Sequence, residues 1–351
     1  MASVFSNKRV LYYDGKDELS YLKGRLYFKR DTSKFKSVKI GDIKCKSIAI
    51  SRLMRLEPRC SAKVNDNCFL ISWNGCILNY CPATNSYNVE HVYDRGMKNP
   101  LSFLSLENVE TGENDVFYGE YIWNGNKGPV GIYKRSKGKW EKIYEFSAGL
   151  ITHIHNIIYD SYRKQFIILT GDSDNDSGIW VADLSFSSVE ALLIGSQQYR
   201  ACVAFPAEEG IFFATDTPLE DNYIYYLPID KKQPIGKPEK KFVMPGPCIY
   251  GTMLQGKMIF ATSVEPNSEL PTWKYRMTYQ LGRGVHSRRS SIIVGKQNGT
   301  FNVLTSFEKD KMPIWLFQFG NIVFPENKSN LLLGVLQSLK PKHGVTVRIE
   351  V

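Results

Sequence analysis

Two histidines, His153 and His155, lie two residues apart in the segment Thr152–Asp160. The segment is rich in isoleucine, which favours a strand, and residues two apart on a strand point to the same face. Imidazole side chains transfer protons near neutral pH and bind divalent metal ions. The pair therefore predicts either proton transfer or a metal site on one face of a strand.

Acidic residues follow the next apolar run of the sequence. That run, Phe166–Asp172, ends at a glycine and an aspartate, and Asp174 and Asp176 come shortly after. A polar turn separates it from the histidine segment, so antiparallel pairing would place the end of the second strand beside the start of the first. Asp172 is therefore expected close to the two histidines.

The composition and the short apolar segments of the rest of the chain are typical of an all-β protein. Of its 351 residues 43% are hydrophobic and 13% aromatic, which is enough for a large core. The apolar runs are short, rich in Val, Ile, Tyr and Phe, and bounded by Gly, Asn, Asp and Pro. We expect a single all-β domain over residues 1–351.

One unit repeats at a period of about 45 to 50 residues, which is typical of propeller blades. Each unit has an inner strand, a second apolar strand that ends in polar residues, and two further strands. The second strands are predicted at Arg25–Lys29, Cys68–Trp73, Val116–Glu120, Phe166–Asp172, Ile211–Asp216, Met258–Ser263 and Leu331–Val335. The count predicts a seven-bladed β-propeller, with six blades as the alternative because the first and last units are the weakest.

The two ends of the chain fit a closed ring. The last unit shows three strands, Ile314–Phe319, Leu331–Leu336 and Val345–Ile349, so the N-terminal Arg9–Tyr13 is predicted to supply the fourth. Closure of this kind removes exposed sheet edges. The segment Glu265–Arg289 is predicted to be an insertion in the sixth unit, which either arches over one face or forms an ordinary surface loop.

Strand ends should bring the polar residues of several units together. In a propeller, the start of each inner strand and the end of each second strand lie on one face, around the central channel, so a shared funnel is expected. The candidate catalytic residues are Glu120, His153, His155, Asp172, Asp216 and Tyr250. The candidate substrate-binding residues are Trp73, Asn74, Gln198, Tyr199 and Arg200, with Trp273 from the insertion. Ser263 occupies an equivalent strand end.

Net charge and cysteine content indicate which class of partner and which cellular compartment to expect. The formal net charge of +10 favours an acidic partner, namely a glycan, a nucleic acid or a membrane surface. No recognition motif for nucleic acid accompanies the charge, so an anionic oligo- or polysaccharide is expected. Seven scattered cysteines, no signal-like N-terminus and no apolar run near the ~20 residues of a membrane span predict a cytoplasmic protein without a transmembrane segment.

Two families resemble parts of this sequence. Ser173–Trp180, with the sequence SDNDSGIW, resembles a degenerate Asp-box, the Ser-x-Asp-x-Gly-x-Thr-Trp turn of sialidase-like propellers, and Gly131–Trp140 looks like the same hairpin without the aspartate. The resemblance covers roughly residues 116–227 and implies the fold. The Phe/Tyr-Arg-Ile-Pro segment of true sialidases is missing, so sialidase activity is not implied.

The histidine pair is similar to that of propeller polysaccharide lyases, which act on uronic-acid polymers. In those enzymes histidines, sometimes with a glutamine, hold a metal ion. The resemblance implies a divalent metal ion held by His153, His155 and Gln198, with His286 arriving from the insertion.

These observations predict a carbohydrate-active enzyme, either a glycoside hydrolase or a polysaccharide lyase, that acts on an anionic glycan with uronic or sialic acid-like sugars. A hydrolase needs two carboxylates across the scissile bond, for which Glu120, Asp172 and Asp216 are available. The alternatives are a non-catalytic propeller that binds a glycan or protein, and a sugar-transferring enzyme of polysaccharide biosynthesis.

A lyase needs a neutralised substrate carboxylate and a base. Arg200 or a metal ion would provide the first. The base would be His153, His155 or Tyr250.

Overall fold

The computed structural model describes residues 2–230 and 233–351. Its strands form seven antiparallel sheets, each with four principal strands, and these sheets are the blades of a seven-bladed β-propeller. The predicted all-β class and the count of seven blades are confirmed.

The blades are numbered here in chain order, and each is given from its innermost to its outermost strand. Blade 1 contains Arg9–Tyr13, Asp17–Leu22, Arg25–Arg30 and Lys36–Lys39; blade 2 contains Ser61–Asn65, Cys68–Trp73, Cys76–Cys81 and Ser86–Val92; blade 3 contains Leu104–Asn108, Glu113–Gly119, Val130–Ser136 and Lys139–Phe146; blade 4 contains His153–Asp160, Gln165–Gly171, Gly178–Ala182 and Val189–Ile194.

The remaining blades follow the same plan. Blade 5 contains Ala201–Ala207, Gly210–Thr215, Asn222–Asp230 and Glu239–Met244; blade 6 contains Cys248–Leu254, Lys257–Thr262, Arg289–Gly295 and Phe301–Glu308; blade 7 contains Asn321–Val323, Leu332–Gln337, Thr346–Ile349 and Ala2–Ser6. Short strands at Gln233–Pro234 and Glu326–Asn327 extend blades 5 and 1. The helices are α-helices at Ile48–Met54 and Thr272–Met277 and 3-10 turns at Ile43–Lys46, Asp174–Asp176 and Gln197–Tyr199.

The N-terminus closes the ring, but through a different strand from the one predicted. Ala2–Ser6 pairs with Thr346–Ile349 as the outer strand of blade 7. Arg9–Tyr13 is instead the innermost strand of blade 1, where it pairs with Asp17–Leu22. The prediction was wrong because Ala2–Ser6 is largely exposed and carries no apolar pattern that would reveal a strand.

Two other strands were also misplaced. Arg25–Arg30 is the third strand of blade 1, and the second strand is Asp17–Leu22, in which Asp17 and Glu18 are buried despite their charge. The segment Ile314–Phe319 forms turns, and the inner strand of blade 7 is the short Asn321–Val323. Buried polar residues and very short strands both conceal the apolar periodicity on which the prediction depends.

The insertion in blade 6 arches over one face. Its helix packs against the segment before blade 7, with the rings of Tyr275 and Trp315 at 6.0 Å, and its other end meets the loop of blade 5, where Gly284 donates a backbone hydrogen bond to Pro218. These contacts confirm the arch rather than a plain surface loop. Within residues 2–230 and 233–351, no helix is long and apolar enough to cross a membrane, and all seven cysteines are free.

The two Asp-box-like segments occupy unequal positions. Ser173–Trp180 connects the second and third strands of blade 4, whereas Gly131–Trp140 spans the hairpin between the third and fourth strands of blade 3. The two turns lie at opposite ends of their blades, because successive strands of a blade run in opposite directions. They are therefore not copies of one motif.

Candidate functional site

His153 and His155 both point into the funnel, although one of them is a bulge residue. In the pairing with the second strand, His153 faces Gly171 and Ile154 faces Thr170, and the register then skips His155 and resumes at Asn156. A β-bulge re-aims a side chain. Both imidazoles are buried, and their Nε2 atoms lie 3.1 Å apart.

Backbone carbonyls fix the tautomer of both histidines. His153 Nδ1 lies 3.2 Å from the oxygen of Ile122, and His155 Nδ1 lies 2.9 Å from the oxygen of Ala201. A carbonyl oxygen only accepts, so each Nδ1 carries the proton and donates it. The Nε2 lone pairs of neutral rings then face each other, an arrangement that requires a proton or a cation between them.

Asp172 completes the group from the end of the second strand. Its carboxylate lies 3.2 Å from His155 Nε2 and 3.5 Å from His153 Nε2. Enclosure in the funnel would raise the pKa of Asp172, but the charges of Arg200 and the histidines hold it well below its usual value. Asp172 is therefore a stable anion, and about half of its side chain remains exposed.

Gly171 makes room for the neighbours of Asp172. A Cβ at this position would lie 2.6 Å from His155 Cε1 and 3.2 Å from Arg200 Cγ. Any larger residue would displace the imidazole, so a glycine before the aspartate is a requirement of the site rather than of the turn alone.

Arg200 is engaged within the protein. Its NH2 lies 3.0 Å from Asp172 Oδ1 and 3.8 Å from Asp216 Oδ2, and its NH1 donates to the backbone oxygen of Asp172 at 3.2 Å. Burial alone would lower the pKa of Arg200, but the two carboxylates raise it. His155, Asp172 and Arg200, which were expected around one pocket, lie in contact with one another. We call His153, His155, Asp172 and Arg200 the histidine cluster.

A second acidic pair lies behind Arg200. Asp216 is buried, and its Oδ1 has no hydrogen-bond partner among the described residues. Burial raises the pKa of Asp216, and burial together with the charge of Asp216 raises the pKa of Glu265 to about 8. Cys202 Sγ lies 3.1 Å from Asp216 Oδ2, and burial raises the pKa of this thiol. At least one proton is therefore held here at neutral pH.

Two cavities lie next to the histidine cluster, and the larger of them reaches His155. The larger has a volume of about 440 Å³ and is lined by His155, Cys202, Arg9, Arg59 and Tyr250. The smaller measures about 310 Å³ and shares the last three of these residues. The ring of Tyr121 lines the smaller cavity and packs 4.5 Å from the ring of His153. A substrate in the larger cavity would therefore lie beside His155, whereas the Tyr121 ring separates the smaller cavity from His153.

Several predicted site residues are directed elsewhere. Glu120 ends its strand on the same face, but its carboxylate binds Arg95 and the backbone nitrogen of Gly131. Gln198 binds Glu220 and Tyr225 in blade 5, and His286 binds Asp221 at 2.8 Å. None of the three joins the histidine cluster, because each is bound by a polar partner on a neighbouring loop or strand.

The aromatic candidates also lie outside the cluster. Trp73 and Asn74 line a separate cavity, in which Trp73 Nε1 donates to the oxygen of Leu56. Trp273 is exposed on the helix of the insertion. Tyr199 lies in the 3-10 turn before Arg200, and Ser263 donates to Glu265 at 2.5 Å. Tyr250 is the predicted aromatic residue that does line both cavities.

Sequence reasoning missed the other residues at the cavities. Gln197, rather than Gln198, donates to the backbone oxygen of Asp172 at 2.8 Å. Tyr121 directly follows the predicted Glu120, and Glu265 is the first residue of the insertion. Arg9 and Arg59 precede or begin inner strands, so the rule that selected the histidines could also have selected them.

Two groups of side chains have the composition of a metal site. The ligand atoms of His153, His155 and Asp172 all lie within 4.8 Å of one another, and so do those of His155, Cys202 and Asp216. Imidazole and carboxylate suit Zn²⁺, Mn²⁺ and related ions, and a histidine ligand usually donates its other nitrogen to a carbonyl or carboxylate. The first group fits on both counts, since each Nδ1 donates to a carbonyl.

Comparison with known proteins identifies the fold. No family model and no curated protein matches the sequence. Among solved structures, an oligogalacturonate lyase in complex with manganese is 9% identical, with a TM-score of 0.58 over 98% of this chain and 90% of that one. An oligogalacturonate lyase from Vibrio parahaemolyticus is 11% identical, with a TM-score of 0.54 over 99% and 91%.

A third solved structure has the same fold. The AfRom2 CNH domain is 9% identical, with a TM-score of 0.55 over 100% of this chain and 99% of that one. Fold and site together define a β-propeller with a histidine and carboxylate cluster in its funnel. Function must be argued from that site, because the fold hosts both enzymes and binding domains.

Proposed function

We propose that the protein is a metal-dependent polysaccharide lyase that acts on a uronic-acid glycan. The observation that carries the proposal is the pair of opposed Nε2 atoms of His153 and His155, 3.1 Å apart and facing the Asp172 carboxylate. A divalent ion on these three groups would remove the repulsion between the lone pairs. His153, His155 and Asp172 are the proposed ligands.

A bound divalent ion would neutralise a uronate carboxylate and so acidify the neighbouring C5 proton. Arg200 holds Asp172 in position through its carboxylate and its backbone oxygen, and Tyr121 packs against His153. These contacts orient the cluster without providing a reacting group.

Tyr250 is the proposed base. Its hydroxyl accepts a hydrogen bond from Arg59 Nε at 3.4 Å, and the residue lines the larger cavity together with His155. The phenolate takes the C5 proton, the electrons form a C4–C5 double bond, and the C4–O bond breaks. The resulting phenol then returns the proton to the leaving oxygen, which restores the enzyme.

The solved structures and the charge support this choice. The similar lyases are named for oligogalacturonate, and one of them contains manganese. The net charge of +10 suits an anionic substrate.

Metal analysis and a uronate screen test the proposal. The purified protein should bind about one Mn²⁺ or Zn²⁺, and it should release unsaturated sugars, detected by ultraviolet absorbance, from at least one uronate polymer. His155→Ala should lower both metal content and turnover. His286→Ala is the matched control, because the imidazole of His286 contacts Asp221 and lies outside the histidine cluster. Absence of both metal and unsaturated product from every polymer would contradict the proposal.

A glycoside hydrolase is the second candidate, and a specific observation favours it. Asp172 is a stable anion, whereas burial raises the pKa of Asp216 and Glu265. Carboxyl groups whose pKa values are driven apart can serve as base and acid. Reducing ends without unsaturated products would favour this reaction, and binding without any cleavage would favour a binding propeller.

A further inference from the structure

The smaller cavity collects more positive charge than the Arg59 guanidinium that contacts the proposed base. The cavity has a volume of about 310 Å³, and its lining includes Arg9, Arg55, Arg59 and Lys98. We call this part of the cavity the arginine pocket. All four belong to segments at the start of inner strands or to the loops before them, on the face that holds the histidine cluster.

Arg9 has the fewest side-chain hydrogen-bond and ion-pair partners of the three arginines in the arginine pocket. The residue is buried, with 4% of its surface exposed, and its NH1 has no hydrogen-bond partner. Its side chain makes no hydrogen bond or ion pair with any other residue that the structure describes. Burial therefore lowers the pKa of Arg9. Buried cations are normally paired, so an unpaired one facing a cavity indicates an absent anion.

Arg55 and Arg59 are also free of carboxylate partners among the described residues. Arg55 donates to the backbone oxygen of Trp315 at 3.0 Å and lies over that ring. Arg59 donates to Tyr250 and lies over Tyr121, 5.3 Å from the ring centre. Both guanidinium groups therefore keep hydrogen-bond donors for a ligand.

One carboxylate lines the same cavity, but it is already occupied. Glu57 accepts hydrogen bonds from Ser51 at 2.9 Å and Gln318 at 3.0 Å, and it contacts His343 Nε2 at 3.3 Å. Burial would raise the pKa of Glu57, yet the contacts with His343 and Gln318, together with the charge of Arg9, lower it to about 2. Its charge therefore belongs to this network and offsets the arginines only in part.

Aromatic rings border the cavity. Trp123 is 99% exposed at its edge, and Tyr121 separates Arg59 from His153. Exposed aromatic faces beside hydrogen-bond donors suit the apolar face and carboxylate of an acidic sugar.

We propose that the arginine pocket binds the carboxylate of a second acidic sugar in the chain whose first acidic sugar lies at the histidine cluster. The inference rests on the proposed function for its substrate class. It predicts recognition of at least two uronates in one oligosaccharide. Arg9 and Arg55 would bind the second carboxylate, with Trp123 against its ring.

Binding without turnover tests this inference. Trigalacturonate and its carboxyl-reduced, neutral counterpart would be titrated calorimetrically into the full chain in the presence of EDTA, so that no metal contributes. Wild-type protein should bind the charged trimer, and the neutral trimer should bind at least about 10-fold more weakly. Arg9→Met and Arg55→Gln should each weaken binding of the charged trimer by about 10- to 100-fold, the range for a lost charge-assisted hydrogen bond.

Arg348→Gln is the matched control. Arg348 is exposed on the third strand of blade 7, and its loss makes the same change in net charge outside the pocket. It should bind the trimer like wild type. Arg9→Met should also unfold at a higher temperature, by about 2 °C or more, because an unpaired buried charge is removed. A guanidinium with a purely structural role would produce the opposite shift.

Three results would overturn the inference: no binding of the charged trimer, equal binding of the neutral trimer, or wild-type affinity in both Arg9→Met and Arg55→Gln. Arg55 is partly exposed, so Arg55→Gln should fold and can test the inference even if Arg9→Met does not fold. The assay requires neither metal nor cleavage. If the wild-type protein cleaves no polymer but both arginine variants lose trimer binding, the pocket is supported and the lyase is contradicted. If the wild-type protein cleaves a uronate polymer and both variants bind the trimer like wild type, the lyase is supported and the pocket is contradicted.

Discussion

Arg200 contacts Asp172 at two points, the carboxylate oxygen at 3.0 Å and the backbone oxygen at 3.2 Å. The same guanidinium reaches Asp216 at 3.8 Å. The fork that could have held a substrate carboxylate is thus used to position a proposed metal ligand. Recognition of the anionic substrate then falls to other arginines.

Arg200→Lys should weaken metal binding more than sugar binding. Lysine keeps the charge but cannot make both contacts with Asp172. Supporting contacts of this kind typically change metal affinity by about 10- to 100-fold. Titration of Mn²⁺ into the metal-free variant measures the effect. Unchanged metal affinity with weaker trigalacturonate binding would show instead that Arg200 contacts the sugar.

Gly171→Ala should lower activity while leaving the fold in place. The added Cβ would lie 2.6 Å from His155 Cε1, which forces the imidazole away from Asp172. A displaced catalytic group can cost about 100-fold in turnover. The variant would be compared by turnover and by circular dichroism with Gly236→Ala, where the nearest atom to a new Cβ is Pro228 Cγ at 3.7 Å. Equal turnover of the two variants would contradict this geometry.

Deletion of residues 2–6 and of residues 2–13 should have different consequences. The first removes only the outer strand of blade 7, so a lower unfolding temperature and more aggregation are expected as an edge is exposed. The second also removes the buried Val10, Leu11 and Tyr12, each contributing roughly 1.5 to 3 kcal/mol. Cooperative thermal unfolding should survive the first deletion and be lost in the second. Identical melting curves for the two truncations would refute the strand assignment.

The stability of the protein should fall as pH rises from about 4.5 to about 8. Glu265 has a pKa raised to about 8 by burial and by Asp216, whereas an unfolded glutamate titrates near its ordinary value of 4.5. In that interval the folded state binds more protons than the unfolded state, so the free energy of unfolding decreases with pH. Glu265→Gln should flatten this slope and raise the unfolding temperature at pH 8 relative to wild type. A parallel slope in the variant would show that another group is responsible.

The repeat was readable from the sequence because most second strands are short apolar runs that end in polar residues. Six of the seven second strands were placed correctly, and the blade count followed from them. The exceptions share one cause: Asp17–Leu22 buries charged residues and Ala2–Ser6 buries almost nothing, so neither shows the expected pattern. The assignment of strands from a sequence pattern fails where charged residues are buried or where a whole strand is exposed.

The sequence also indicated that His155, Asp172 and Arg200 would meet, because strand ends of neighbouring blades share a face. Only the tertiary structure decided which neighbours complete the site. Glu120 and Gln198 have the same strand-end positions, yet Arg95 and Glu220 hold them away from the funnel. The strand-end rule also applies to Arg9, but its lack of a partner depends on packing between blades and could not be read from the sequence. Residue type and spacing set the face of each side chain, and the direction of a long polar side chain is decided by its nearest available partner.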